Sequence, residues 1–292
     1  MNLFVQALVS GIAIGCVYGL VALGFVLIYK ATEVVSFAQG ELMMVGGFLT
    51  LTFMTYVGLS YWISVPLSFA AAAALGALIN HTVLRRMIGQ PAFTIVLATF
   101  AVGILMRAVA TMIPGWGTDT HGLETPFYGK LVNLGTAVVS ADSIAVLVFT
   151  VVLVALLFAF FRYTRVGVAL QAVSQNQIAA GYLGIPVNGM FSLIWGLAAG
   201  VAAVAGTLLA PIAFVHSNVG FIGLKAFPAA VLGGFGSIPG ALVGGLVIGI
   251  VEEFSGLYLP EGVKSVSAYL VLLIVLMVRP QGLFGVSLRD RV

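Results

Sequence analysis

The sequence predicts an all-α polytopic integral membrane protein, and three observations carry that prediction. Of its 292 residues 61% are hydrophobic and only 7% are charged, against about 25% charged in an ordinary soluble domain. The stretches 42–84, 87–106, 143–161, 166–224, 226–251 and 265–278 contain no Asp, Glu, Lys or Arg, and roughly 20 apolar helical residues suffice to cross a hydrocarbon core about 30 Å thick. None of these runs alternates apolar and polar residues as barrel strands do over about 10 residues. Backbone amides in lipid must be satisfied within the segment, so helices remain.

Eight apolar segments are expected in a single transmembrane domain over 1–292, at about 5–29, 42–58, 61–80, 92–113, 142–162, 190–213, 226–250 and 264–280. The first runs to Lys30, the first basic residue of the chain. It has no basic region of the kind that opens a cleaved signal peptide, so it is expected to stay in the protein. It holds Gly11, Gly15 and Gly19 at helical spacing, as Gly196 and Gly200, Gly240 and Gly244, and Gly245 and Gly249 are held later. Small residues four apart let lipid-embedded helices approach closely. The sole cysteine, Cys16, lies inside this apolar run, which leaves no disulfide framework and no thiolate metal cluster.

Between the first two segments Glu33, Ser36, Gln39 and Glu41 interrupt the apolar pattern. The third segment ends at Arg85 and Arg86, the fifth at Arg162 and Arg165, and the last at Arg279, with Arg289 and Arg291 beyond. Positive residues collect on the cytoplasmic side, which places these three clusters and the C-terminus there. The loop of about 114–142, with Asp119, Glu124 and Lys130, then faces outward. The net charge of +3 is accounted for by these helix ends, and no basic stripe with interleaved aromatics points to nucleic acid.

Counting crossings from Arg165 leaves Arg279 on the wrong side, so one more crossing or re-entrant element is required. Only 213–227, where His216, Ser217, Asn218 and Lys225 break the pattern, has room for it. The interruptions at 30–41 and 213–227 form a pair, one in each half. Paired broken helices point to a midplane pathway, because unwound backbone in a membrane is tolerated where it lines a cavity. Two ordinary short loops would give the same pattern.

The chemistry of an energy-consuming enzyme is missing. There is no G-x-x-x-x-G-K-[ST] loop; the Gly-Lys pair at Gly129 and Lys130 is followed by Leu131. The run 232–240, LGGFGSIPG, has no lysine and reads as turn and close packing at Gly233, Gly234, Gly236, Pro239 and Gly240. His81, His121 and His216 are scattered, and no metal site or nucleophile motif appears. Glu252 and Glu253 point about 100° apart on a helix and read as a solvated helix end. Arg107 lies within the fourth segment, near its outward end, from which its stem reaches the interface by snorkelling.

Three stretches carry a resemblance to a known family. The run 225–245, KAFPAAVLGGFGSIPGALVGG, closely resembles the most characteristic stretch of permease subunits of branched-chain amino acid ABC importers of the Liv type. VSFAQGE at 35–41, with MMVGGF at 43–48, is similar to that family's hallmark after its first helix. FRYTRVGVALQAVSQNQIAAGYLGIP at 161–186 is similar to the cytoplasmic loop that engages the ATPases. With the opening helix, the resemblance covers nearly the whole chain in order. It departs at Ser36 and Gln39, where the family has Asn and His, at Pro228, where it has alanine, and at the neutral Gln171 and Asn176 of the coupling loop.

The resemblance implies an ABC importer permease fold in the inner membrane and no catalytic role for this chain. It binds no cofactor itself; ATP and magnesium are used by two cytoplasmic ATPase subunits. A second permease, a paralogue in preference to a second copy, and an extracytoplasmic solute-binding protein complete the assembly, which carries branched-chain or other small amino acids. The coupling loop is about 163–189, with Ala169, Gln171, Gln175, Asn176, Ala179 and Gly184 on a short helix at the ATPase. The substrate pathway takes Ser36, Phe37, Gln39 and Glu41 from the first break and Asn218, Phe221, Lys225 and Phe227 from the second. A pairing of Glu41 with Lys225, or capping of broken helix ends, is the structural alternative. A self-sufficient secondary transporter or channel is the functional one.

Overall fold

The computed structural model describes residues 2–87, 89–117, 119–134, 137–260 and 262–285. Arg289 and Arg291, placed above in the third basic cluster, lie outside the described residues. The helices are α1 (Asn2–Thr32), α2 (Gln39–Thr55), α3 (Tyr61–Thr82), α4 (Ala92–Met112), α5 (Ala141–Tyr163), α6 (Arg165–Gln175), α7 (Gln177–Tyr182), α8 (Val187–Ala213), α9 (Val219–Leu224), α10 (Ala226–Gly233), α11 (Ile238–Tyr258) and α12 (Val263–Val278). A short 3-10 turn, Leu84–Met87, follows α3. Strands β1 (Leu131–Leu134) and β2 (Ala137–Ser140) form an antiparallel hairpin before α5.

Two opposite faces orient the bundle. One, the hairpin face, carries β1–β2 and the adjoining loop. Gln6 near the start of α1 donates to the Val138 carbonyl there (3.1 Å), and His121 pairs with Val215 beyond α8. The other, the basic face, carries the exposed Arg85, Arg86, Arg162 and Arg165. Here Gln177 donates to the Ala31 carbonyl at the end of α1 (3.0 Å).

The extra crossing demanded by the charge count is α9–α10. It starts just past Val215 on the hairpin-face side, and its last turn receives Leu283 N–H on the Leu232 carbonyl and Phe284 N–H on the Gly233 carbonyl, beside the residues that follow α12. The seventh segment expected at 226–250 is therefore two elements, which corrects that boundary. Gly234 supplies a left-handed turn at φ 92°. Ser237 then opens α11 by accepting the Gly240 N–H (3.1 Å), and Pro239 sits in the first turn, where a missing N–H costs nothing. Gly233 packs on the Gly240 backbone, so the glycine-rich run is a tight reversal and not a phosphate cradle.

The chain repeats its plan with inverted orientation. Each half has a long helix (α1, α8), a residue other than glycine at positive φ directly after it (Glu33 at 56°, Phe214 at 60°), a broken segment, and two antiparallel helices. Each long helix packs chiefly on the third helix of the other half, α1 on α11 and α8 on α3. Since α1 runs from the hairpin face to the basic face and α8 runs back, the halves are related as the inverted repeats of transporters are.

Glycine permits both exchanged contacts. Gly11, Gly15 and Gly19 of α1 lie against Gly249, Gly245 and Leu242 of α11, and Gly76 and Gly196 let α3 and α8 meet in the same way. Lipid offers no hydrophobic drive for helix association, so these backbone approaches, with the buried Thr50–Thr207 hydrogen bond (2.6 Å), hold the halves together, while Thr50–Ser68 (2.8 Å) ties α2 to α3 within the first half. A Cβ at Gly245 meets the backbone of Gly19 with nothing flexible to yield. Gly245→Val is expected to cost about 3 kcal/mol, read as a fall in the thermal unfolding midpoint of the purified protein, while Gly236→Ala, whose Cβ meets nothing within 4 Å, leaves it unchanged.

Candidate functional site

The two breaks meet inside the bundle. After Glu33 the chain turns back from the basic face, and the Phe37 N–H donates to Thr99 Oγ1 of α4 (3.1 Å), fixing the start of α2. Gly40 then touches the backbones of Gly220 and Gly223 of α9, where a side chain on any of the three would overlap the neighbouring chain. Phe37 and Phe227 also approach ring to ring, with centroids 5.6 Å apart.

Four charged groups and a tyrosine surround this junction. Glu41, in the first turn of α2, pairs with Arg107 of α4, whose Nε donates to Oε2 (3.2 Å) while its Nη2 reaches Oε1. The same guanidinium lies 3.7 Å from the centre of the Phe221 ring on α9, a cation–π contact. On the far side of α9, Lys225 donates to Glu252 of α11 (2.5 Å), and Tyr18 of α1 donates to the other oxygen of that carboxylate (2.7 Å). The short helix α9 is thus held by charge at both ends.

This arrangement corrects three expectations. Glu41 and Lys225 do not pair with each other; each has its own partner. Arg107 does not snorkel: it turns inward, because a carboxylate and an aromatic face lie within reach, while the interface is several residues farther along α4. Glu252 is not at a solvated end. The late start of α11 carries that helix to Tyr258 and leaves Glu252 only 3% exposed, whereas Glu253 pairs with Lys264 (2.6 Å) near the hairpin face.

The remaining pathway candidates divide by exposure. Gln39 is fully buried, packed on Gly24 of α1, and its Nε2 donates to the Ala198 carbonyl of α8 (2.8 Å). It joins three helices at the crossing of the long ones. Among the described residues, Ser36 Oγ and Gln39 Oε1 are buried without a hydrogen-bond partner, unusual for polar atoms in such a core. Phe37 and Phe227 are half-buried, while Asn218 and Phe221 are exposed. Arg107 and Glu252, read from sequence as a snorkelling residue and a solvated helix end, complete the site together with Tyr18, which the sequence reading does not single out. Their signal was present, since an ionisable group inside an apolar segment needs a partner.

At the basic face the expected single coupling helix is two, α6 and α7, bent at Asn176. That residue is extended (φ −155°), and its Oδ1 accepts the Ala179 N–H (2.9 Å), so it caps α7. Gln171 donates to the Phe161 carbonyl (2.9 Å), tying α6 back to α5. Gly184 at φ 81° closes α7 in a Schellman motif, with Ile185 N–H on the Ala180 carbonyl and Gly184 N–H on the Gly181 carbonyl. Ala169 and Gln175 lie on α6 and Ala179 on α7. The bend projects Ile178, Tyr182 and Leu183, which are 73%, 88% and 80% exposed. So much apolar surface at the polar end of a bundle marks an interaction site.

A family model described as branched-chain amino acid transport system / permease component matches residues 7–278. The high-affinity branched-chain amino acid transport system permease protein LivH of Escherichia coli (strain K12) is 31% identical over 97% of this chain and 96% of its own. The corresponding protein BraD of Pseudomonas aeruginosa is 30% identical over the same shares. A solved structure, PsaBC from Streptococcus pneumoniae in complex with Fab, aligns with 97% of this chain and 94% of its own at 17% identity, with a TM-score of 0.49.

Proposed function

Because the chain belongs to the branched-chain amino acid transport system permease family, we propose that it forms half of the passage of an ATP-driven importer, with substrate moving along the face where Glu41, Arg107 and Phe221 meet. One observation carries this placement. The Arg107 side chain remains 22% exposed and Phe221 54% exposed, with a further turn of α4 between Arg107 and the helix end at Met112. A charged pair open to hydrocarbon at that depth is costly, so such groups face a water-filled cavity or a partner. The passage therefore runs beside α4 and α9, where a second permease, a paralogue in our reading, completes the wall.

The chemistry of the face suits a small amino acid. A carboxylate and a guanidinium side by side match the ammonium and carboxylate of a zwitterion, and Phe221, Phe37 and Phe227 provide apolar surface for its side chain. The unpartnered Ser36 Oγ and Gln39 Oε1 lie at the hinge behind this wall. Transport requires that the inward- and outward-open states differ in affinity for the cargo. Rotation of α9 against Gly40 would change the Glu41–Arg107 geometry and with it that affinity.

The energy comes from outside this chain. Two ATPase subunits, which bind ATP and magnesium, seat the α6–α7 bend in their grooves, and an extracytoplasmic binding protein delivers the solute. In this reading the basic face and the C-terminus are cytoplasmic, and the hairpin face looks outward from the cell membrane. The permease holds no cofactor. With Gln171 and Asn176 committed to internal hydrogen bonds, coupling runs through the shape of the bend and its apolar knob.

The test is uptake of labelled leucine into proteoliposomes that hold the permeases, their ATPases and the binding protein. ATP-dependent accumulation is expected. Tyr182→Asp is expected to abolish it and to return ATP hydrolysis to the level of the isolated ATPases, with no change in the unfolding midpoint of the permease. Accumulation by this chain alone on an ion gradient would overturn the reading.

A further inference from the structure

A cavity of about 480 Å³ opens at the basic face between α1, α5, α6 and the start of α11. Its volume falls in the range of small-molecule sites, about 300–1,000 Å³. Its floor is apolar and buried: Leu23, Leu27, Leu157 and Leu170 are at most 7% exposed. Its mouth carries Lys30 and Arg162, and no carboxylate lines it. Neither cation has an ion-pair partner among the described residues. A second hollow of about 500 Å³ near the hairpin face, around Trp62 and Phe149, has no ionisable lining, so ordinary lipid tails satisfy it.

We propose that the cavity at the basic face is a binding site for one anionic phospholipid, with an acyl chain on the leucine floor and the phosphate between Lys30 and Arg162. Basic pockets between membrane helices on the cytoplasmic side select such headgroups, at about a fivefold gain in binding for each Lys or Arg near the surface. The position gives the lipid a regulatory role. Leu170 of α6 forms part of the floor, and Gln171 and Ser174 of the same helix line the wall. A lipid seated there braces the coupling helix against α1 and α5 and ties ATPase engagement to membrane composition. That consequence rests on the proposed function; the binding itself does not.

The test uses the full-length protein in phosphatidylcholine vesicles containing spin-labelled phosphatidylglycerol or spin-labelled phosphatidylcholine, and reads the motionally restricted fraction of each. Two cations predict a preference for the anionic lipid of about thirtyfold. Lys30→Gln with Arg162→Gln is expected to remove it, while Arg85→Gln with Arg86→Gln, an equal loss of charge on the same face, keeps it. Inorganic phosphate is expected not to displace the labelled lipid. Equal restriction of both lipids in the wild type overturns the proposal by itself, even where a variant does not fold. Loss of preference in the Arg85/Arg86 variant alone assigns the effect to general surface charge, and displacement by phosphate assigns it to a free anion; either result also overturns it. ATP-driven leucine uptake is scored separately, so failure of the lipid site leaves the transport reading standing, and the reverse.

Discussion

Replacing Arg107 by alanine is expected to abolish transport and to destabilise the folded protein by about 3–5 kcal/mol, the cost of leaving one member of a largely buried ion pair without its partner. The Glu41 carboxylate would remain in the first turn of α2, wedged against Gly220, with its two donors removed. Phe221 would lose the guanidinium 3.7 Å above its ring. The double variant Glu41→Gln with Arg107→Gln separates structure from function. With both charges gone no uncompensated ion remains, so most of the stability is expected to return while transport stays lost. Thermal unfolding in detergent and leucine uptake in proteoliposomes read the two quantities independently. Recovery of both in the double variant would make the pair a structural brace only.

Replacing Glu252 by alanine has an effect of similar size for a different reason. Its carboxylate, 3% exposed, is the shared acceptor of Lys225 and Tyr18. Its removal strands a half-buried ammonium and a buried phenol between α1, α9 and α11. About 3–5 kcal/mol is expected for the unpaired ammonium alone. Adding Lys225→Met to Glu252→Ala is expected to recover the part of the loss that the unpaired ammonium causes, while the space left by alanine and the Tyr18 hydroxyl without its acceptor remain. Non-additivity in the double-mutant cycle is the signature of the direct pair; strictly additive losses would place the two groups in separate environments.

The two variants also separate the ends of α9. Removing Arg107 frees the end that faces the proposed passage, whereas removing Glu252 frees the end fastened to the exchanged α1–α11 contact. If α9 rotates during transport, the first change disturbs cargo recognition and the second disturbs the pivot.

Much of the fold was legible in the sequence because membrane helices announce themselves by length and charge. The segments at 61–80, 92–113 and 142–162 correspond to α3, α4 and α5. The need for one more crossing followed from the arginines alone. Less legible was where that crossing ended. The residues 226–250 carry no charge and a single polar side chain, Ser237, and hydropathy does not register a reversal inside such a run. The signal lay in Gly234, Ser237 and Pro239, which supply a positive φ, a cap and a helix start. That shift of boundary hid Glu252, since a helix thought to end at 250 leaves it outside. The paired breaks at 30–41 and 213–227 hint at a repeat, and its inverted plan becomes plain when α1 is seen on α11 and α8 on α3.

The site was legible in its residues but not in its pairings. Glu41, Phe221 and Lys225 stand out as polar or aromatic residues at helix breaks, yet their partners Arg107 and Glu252 are 66 and 27 residues away in sequence. Sequence spacing has no purchase on contacts of that kind. Gln39 shows the opposite case. Its amide looks like a pathway group, and it crosses to the Ala198 carbonyl because Gly24 leaves room for it to pass.

Accessibility of residue 221 tests the central claim most directly. In cells expressing the complete transporter, with Cys16 replaced by alanine, Phe221→Cys is expected to react rapidly with a membrane-impermeant, positively charged thiol reagent, and a saturating amino acid cargo is expected to slow the reaction. Leu156→Cys, on the exposed apolar face of α5, is expected to remain unmodified. Equal protection of both cysteines from the reagent would contradict the account, because the face that joins Glu41, Arg107 and Phe221 would then lie against lipid or protein and not along a water-filled path.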